Sequence, residues 1–211
     1  MAFNPPQQVH HHDQMPMPRK LGVIFVLGQP GAGKGTQCAR VVEHFGCAYI
    51  STGDLLRKEQ ASGSAAGKII TQNTKEGKLV PTDITLRLVL QALTECQLKT
   101  VLIDGFPRNL DNLEEWQKVA GEKVETLGCL NFDCPDDNIL TVRLLRRGVT
   151  SRRVDDNAEA IHARLQGFRK ATLPVIEHFR TRGLLHTIKS INTIEEVWAE
   201  TKAFFENHGF E

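Results

Sequence analysis

The sequence predicts an α/β fold: a P-loop, doubly wound parallel sheet of five strands flanked by helices, with a mobile insertion and a short lid. Three observations carry that expectation. An apolar run, Leu21 to Leu27, breaks into Gly28-Gln29-Pro30-Gly31-Ala32-Gly33-Lys34-Gly35-Thr36-Gln37, so a buried strand feeds a glycine loop and then a helix. Short apolar segments near residues 49–50, 100–104, 128–132 and 184–188 alternate with stretches of helical period, the pattern of right-handed crossovers between parallel strands. One of them, Thr100-Val101-Leu102-Ile103-Asp104, ends in a carboxylate at the edge where parallel sheets place their ligands.

Composition bounds the rest. The 211 residues are 40% hydrophobic and 24% charged, enough for one sizeable core. A formal charge of +1 gives no general attraction to nucleic acid or membrane, so any anion site has to come from local clustering. Cys38, Cys47, Cys96, Cys129 and Cys134 form no Cys-x-x-Cys pair and are odd in number, which suits reduced thiols filling the core. With no apolar run of membrane-span length and no signal-peptide pattern, a cytoplasmic protein is expected, the nucleus being open to it as well. Residues 1–19 hold four prolines and His10-His11-His12 with almost nothing to bury. They are expected to form a disordered tail ahead of a single unit over 20–211, the histidines being a solvated tract.

In the glycine loop, successive backbone N–H groups can turn inward to meet phosphate oxygens at a helix N-terminus, and Lys34 adds a mobile positive charge. The usual pattern places Ser or Thr directly after the lysine to hold magnesium; here Gly35 stands there and the hydroxyl comes at Thr36. The helix runs to Phe45, stopped near Gly46, and Tyr49-Ile50 is the second strand. Ser51 or Thr52 caps the next helix and puts Arg57 about one turn inside it, within reach of the cleft. Ser62 to Gly77 is weakly apolar and rich in small residues, the composition of a helical flap packed less firmly than the core; Lys78-Leu79-Val80-Pro81 closes it. A helix starting at Pro81-Thr82 places Leu86, Val89, Leu90 and Leu93 on one face.

Asp104 is a candidate magnesium partner through water, with Thr36 as a further candidate. Gly105-Phe106-Pro107-Arg108 then makes a rigid turn that throws Arg108 toward the same phosphates. Leu110, Leu113, Trp116 and Ala120 mark an amphipathic helix, and Gly128 to Phe132 a buried strand. Pro135 begins a helix carrying Arg143, Arg146 and Arg147, with Gly148, Arg152 and Arg153 just beyond. Like charges this close repel by about 0.2–0.5 kcal/mol a pair, so their density points to a polyanion among them, Arg146 and Arg152 being solvated. Asp155 and Asp156 can hold neighbouring arginines in place when no anion is bound. A long helix bent at Pro174 carries Arg164 and turns Ile161, Leu165, Phe168, Ile176 and Phe179 inward. Leu184 to Ile188 is the last strand, and Thr193-x-x-Glu196 is a capping box for a final helix that packs down Ile194, Val197, Trp198 and Phe205.

Arg57, Arg108, Arg143, Arg147, Arg153 and Arg164 are more cations than one triphosphate with magnesium needs, which implies a second anion. A phosphate monoester would arrive with its oxygen already charged and need no general base, in keeping with the lack of an obvious catalytic histidine or carboxylate. At this point the residues resemble the nucleoside monophosphate kinases, members of the adenylate kinase family. The resemblance is carried by Gly-x-Pro-Gly-Ala-Gly-Lys-Gly-Thr, Thr-Gly-Asp-Leu-Leu-Arg, Leu-Val-Pro, Ile-Asp-Gly-Phe-Pro-Arg and Arg-Arg-Val-Asp-Asp-Asn, and it runs from about residue 21 to the C-terminus.

That resemblance implies transfer of the γ-phosphate of ATP, with Mg2+, to a nucleoside monophosphate. It implies that Gly31, Ala32, Gly33, Lys34, Gly35 and Thr36 hold ATP phosphates, with Arg147 beside them and the backbone near Asn192 touching adenine. On the acceptor side it implies Arg57 and Arg108 as phosphate clamps, Thr52 and Gly105-Phe106-Pro107 beside them, and Lys78, Leu79 and Val80 lining by backbone. Arg153 and Arg164 would bridge the two, so Lys34, Arg108, Arg147, Arg153 and Arg164 form the expected catalytic set. Segment 51–80 would be the monophosphate-binding insertion and 147–156 the lid, too short and cysteine-free to bind zinc. Arg152 stands where these kinases have glycine. The implied partners are ATP and a nucleoside monophosphate, with no nucleic acid and no membrane, for a monomer.

Four residues beyond the arginine of Gly-Phe-Pro-Arg, adenylate kinases carry a glutamine that reads adenine and UMP/CMP kinases an asparagine; this chain has Asn112. An amide that reorients could serve the opposite patterns of uracil and cytosine, so UMP and CMP are the expected acceptors, with dCMP a further one. Thr52, where pyrimidine enzymes have alanine, and Thr-Ser-x-Arg-Val-Asp-Asp-Asn lean instead to AMP. The rival from another class is a switch or binding module that holds ATP or GTP; guanine-binding switches need an Asn-Lys-x-Asp motif, which this chain lacks, and do not need six convergent arginines.

Overall fold

The computed structural model describes residues 20–151, 153 and 155–210; the expected tail and Arg152 lie outside the described residues. Five strands, β1 (Leu21–Gly28), β2 (Ala48–Ser51), β3 (Thr100–Asp104), β4 (Val124–Asp133) and β5 (Leu185–Lys189), form one parallel sheet in the order β2-β3-β1-β4-β5. Every neighbouring pair is parallel, as the alternation of short apolar runs and helices requires. The register sets Val26 against Asp104 and Gly28 against Phe132. The carboxyl ends of β1, β3 and β4 therefore lie side by side.

Successive residues of β1 feed opposite layers, because side chains alternate across a strand. Phe25 points to the layer of α4 (Thr82–Thr94), α5 (Leu110–Ala120) and α8 (Leu173–Thr181), its ring 5.5 Å from that of Trp116 and 5.4 Å from that of Phe179. Ile24 and Val26 point to the layer of α1 (Lys34–Phe45), α6 (Asp137–Ser151) and α9 (Ile194–Asn207), where Leu140, Leu144, Val197 and Phe205 close the core. A small third cluster, Leu56, Ile70, Ile84 and Leu88, joins α2 (Thr52–Ala61) and α3 (Ala65–Lys75) to α4. The helix α4 is thus apolar on two sides, with Leu86 and Val89 toward the sheet and Ile84 and Leu88 toward the insertion. A single-face reading of its sequence missed the second.

Other expectations change in detail. The long helix bent at Pro174 is two helices, α7 (Ala158–Gly167) and α8, joined by a π-helical turn at Phe168–Thr172. The widening precedes Pro174, the second residue of α8, which has no N–H to return along the helix. Ile161 and Leu165 of α7 belong to one layer, Val175, Ile176 and Phe179 of α8 to the other. Leu110 and Ile194 are 44% and 57% exposed rather than packed down. Each is the first residue of its helix, one turn short of where that helix meets the sheet. Four of the five cysteines are buried thiols, but Cys96, just past α4, is only half-buried.

Candidate active site

A cavity of about 1490 Å³ opens over the carboxyl edge of the sheet. Pockets for one drug-sized ligand run to about 1,000 Å³, so there is room here for two nucleotides. Its walls are the glycine loop, the start of α2, residues 71–79, Asp104 to Arg108, the last turns of α6 with the lid, α7, and residues 190–197. Ten basic side chains line it against four carboxylates, and no histidine does among the described residues.

The loop's backbone has the geometry that a phosphate cradle needs. A Cβ on Gly28 would sit 2.3 Å from the Phe132 carbonyl oxygen, so only glycine lets β1 turn away so close to β4. Gly33 takes the left-handed conformation (φ +86°) and caps α1 with no side chain. By contrast, α2, α3, α5, α7 and α9 are each capped by a Ser, Asn or Thr side chain. The first N–H groups of α1 are therefore left for an anion. Lys34 Nζ donates to the carbonyls of Gly28 at 2.9 Å and Gln29 at 3.0 Å. Burial, opposed by Asp104 and reinforced by Arg108 and Arg164, lowers its pKa from 10.5 to about 8.

Phosphates arriving at that amine favour its charged form, so binding ATP at a pH of about 8.5 should take up protons. Titration calorimetry in two buffers of different ionisation enthalpy reads this directly, with less uptake expected at a pH of about 6.5. Equal heats in both buffers at the higher pH would show an amine already fully protonated in the free protein.

Asp104 stands at the end of β3, beside the cradle. Its Oδ2 accepts from the Tyr49 hydroxyl at 2.9 Å, while its buried Oδ1 has no hydrogen-bond partner among the described residues. A buried, unpartnered carboxylate oxygen on a residue that lines the cavity fits a magnesium ion, held through water. Thr36 offers an exposed hydroxyl on the same wall. The described residues contain no group of three or more His, Cys, Asp or Glu side chains able to hold a metal. Asp104 and Thr36 would thus steady an ion held mainly by phosphate and water, which supplies charge neutralisation to the phosphates when bound.

The arginines converge as expected, and two aspartates hold part of them. Arg147 makes a two-pronged bond to Asp156, both at 2.7 Å, and Arg164 reaches the same carboxylate at 3.0 Å and Asp155 at 2.9 Å. The Asp156 side chain is fully buried. Burial alone would raise its pKa, but the hydrogen bonds and charges of Arg147 and Arg164 outweigh that and hold it below the usual carboxylate range. Arg57 is paired with Asp54. Arg108 and Arg153 have lowered pKa values, through burial first and then through crowding: Arg164 against Arg108, and Arg147 and Arg57 against Arg153. Positive charge is packed here beyond what the carboxylates neutralise. Arg146 is exposed, and Arg143 donates to the Ser190 carbonyl at 2.8 Å from the cavity wall.

The Arg108 turn is held at every backbone atom it offers. Its N–H donates to Asn112 Oδ1 at 3.1 Å, its carbonyl accepts from Thr172 Oγ1 at 2.9 Å, and its own Nε donates to the Gly105 carbonyl at 2.7 Å. Thr172, in the π-helical turn, escaped the sequence reading, since nothing local marks a threonine that packs 64 residues away.

Of the expected site residues, the cavity is lined by Gly31 to Thr36, Arg57, Lys78, Leu79, Asp104, Gly105, Arg108, Arg147, Arg153, Arg164 and Asn192. Thr52, Val80, Phe106, Pro107 and Asn112 stand behind it. Phe106 and Pro107, joined by a cis peptide, are buried, and Val80 packs on the insertion's own cluster. The Thr52 hydroxyl is turned inward to donate to the Asp104 carbonyl at 2.7 Å. Asn112 is 5% exposed, with Oδ1 on the Arg108 N–H and Nδ2 donating to Thr82 Oγ1 at 2.8 Å. A backbone N–H can only donate, so it fixes Oδ1 toward itself, and the amide cannot reorient freely between two bases while that bond lasts.

Comparison with known proteins agrees with this geometry. The sequence model of the adenylate kinase family matches residues 26–184. The chain is 45% identical to UMP-CMP kinase 3 of Arabidopsis thaliana over 187 residues, covering 89% of this chain and 90% of that protein. It is 41% identical to the UMP-CMP kinases of Gallus gallus and Homo sapiens over 193 residues each, covering 89% of this chain and 98% of each of theirs. With a parallel five-stranded sheet, a glycine cradle at its carboxyl edge and an arginine-lined cavity for two anions, the chain belongs to the adenylate kinase family.

Proposed function

We propose that this protein is a nucleoside monophosphate kinase that transfers the γ-phosphate of ATP to UMP and CMP, with dCMP as a further acceptor, giving ADP and the nucleoside diphosphate. The observation that carries the reading is the cavity of about 1490 Å³ with its excess of arginine, which suits two phosphate-bearing ligands and no general base. The acceptor class is the one that the names of this chain's relatives, the UMP-CMP kinases, carry. The cradle and Lys34 take the ATP phosphates with Arg147, and Asn192 lies by the adenine. Arg57 and Arg108 hold the acceptor phosphate, and Arg153 and Arg164 bridge to the transferring group. Such groups lower the barrier by offsetting repulsion between two anions and by positioning them in line, and planar guanidiniums suit this through paired hydrogen bonds. Asn112 reaches the pyrimidine by giving up its bond to Thr82. The segments 51–80 and 147–156 close over both nucleotides and exclude water. Free thiols throughout the described residues support a reducing compartment such as the cytoplasm, and we assign a monomer.

Specificity constants with ATP and each of UMP, CMP and AMP test the acceptor. UMP and CMP should exceed AMP by about tenfold or more. AMP equal to or above both would make the protein an adenylate kinase in activity as well as family. The same assay without any acceptor should give ATP hydrolysis below about a hundredth of the transfer rate. Hydrolysis as the sole activity would mean a nucleotide-dependent switch.

A further inference from the structure

Gln29 is the second residue of the glycine loop, and its side chain turns away from the cavity. Its Nε2 donates to Asp133 Oδ1 at 3.0 Å and its Oε1 accepts from the Cys134 N–H at 3.2 Å. Both partners sit at the junction between β4 and α6, more than a hundred residues on. One amide thus uses its donor and its acceptor to fasten the start of the loop to the end of the neighbouring strand. The Gln29 carbonyl, on the same residue, accepts from Lys34 Nζ and also from the Ala32 N–H at 3.2 Å. The loop's first turn and the resting position of Lys34 therefore depend on where residue 29 is held. Pro30 follows directly and limits the backbone's freedom to compensate. The Asp133 carbonyl accepts from the Ser190 N–H at 2.8 Å, so the strap continues to the loop that borders the cavity near Asn192.

We propose that Gln29 is a positioning residue for the donor nucleotide: strapped to Asp133 and Cys134, it sets the backbone of the cradle and the resting place of Lys34 for the ATP phosphates. The reading rests on ATP as the donor. Arg57 and Arg108, which face the acceptor, hang from α2 and the turn after β3 and share none of these bonds. Losing the strap should therefore weaken the donor side alone.

Swapping the amide and the carboxylate between positions 29 and 133 isolates the strap from net charge. Gln29→Glu sets two carboxylates against each other across the strap, whereas Gln29→Glu with Asp133→Asn restores the net charge. The amide introduced at position 133 can then donate to the carboxylate introduced at position 29, which still accepts from the Cys134 N–H. ATP binding is read by calorimetry, alongside KM and kcat for ATP and for UMP and the melting temperature. Gln29→Ala should weaken ATP about fivefold and Gln29→Glu about tenfold or more, with KM for UMP within about twofold and the double variant back within about twofold of the parent. Unchanged ATP affinity in Gln29→Ala would overturn the proposal, as would a loss in Gln29→Glu that the second substitution fails to restore. A fall in melting temperature with both KM values unmoved would make the strap purely structural. A parent that binds no ATP would instead refute the kinase reading, leaving the two failures distinct.

Discussion

Replacing Lys34 by alanine is expected to lower kcat with ATP and UMP by about 10²–10³-fold, as removal of one preorganised charge-stabilising group does elsewhere. It is the lysine of the cradle itself, and its amine rests on two loop carbonyls, ready to exchange them for phosphate oxygens. The fold should hardly notice. A lysine whose pKa falls from 10.5 to about 8 carries a burial cost at every pH below 8, relieved only as the pH rises toward 10.5. At neutral pH the substitution removes that cost along with the two hydrogen bonds, so the melting temperature should move by no more than a few degrees. Steady-state rates beside circular dichroism check both parts. Activity within about threefold of the parent would take Lys34 off the catalytic list.

Much of this architecture is written locally. β1 and β3 stand where the apolar runs stand because they are buried on both faces, which produces unbroken runs of Val, Ile, Leu and Phe, whereas β2 and β5, at the edges of the sheet, are only partly buried and show as shorter, mixed segments. The helix ends follow from Ser51, Ser64, Asn109 and Thr193, whose side chains satisfy N–H groups within three residues of themselves. The glycine loop is legible for a related reason, since its glycines and Lys34 lie at fixed spacing along one segment, whereas the arginines stand on separate segments and show in the sequence only as a surplus of cations.

What escaped the sequence is decided between segments. Asn112 announces an amide just beyond the Arg108 turn, yet its orientation is set by Arg108 four residues back and Thr82 thirty residues back. Thr52 points toward AMP by resemblance, but its hydroxyl serves the backbone of β3. Gln29 occupies a position that the motif leaves open, and its meaning depends on a partner 104 residues on. The division of the long helix is similar. Periodicity continues through Phe168, whereas the π-helical turn arises because α7 and α8 serve different layers.

Asp156 carries the second large effect. Its fully buried carboxylate pairs with Arg147 and Arg164 in the absence of nucleotide, and Asp156→Ala leaves Arg147 facing Arg153 without that carboxylate and Arg164 facing Arg108 with Asp155 alone. Breaking a buried pair costs about 3–5 kcal/mol, here discounted to about 2–3 because Arg147 and Arg164 keep part of their hydration. At about 2–4 °C per kcal/mol for a chain of this size, the melting temperature should fall by about 4–12 °C. Phosphates would then do for the arginines what the carboxylate did. Addition of ATP and UMP should therefore raise the melting temperature of the variant more than that of the parent and close at least half of the gap. An unchanged melting temperature would mean that solvent already screens these arginines. A gap that persists undiminished with both nucleotides bound would mean that Asp156 supports the lid by packing and not by charge.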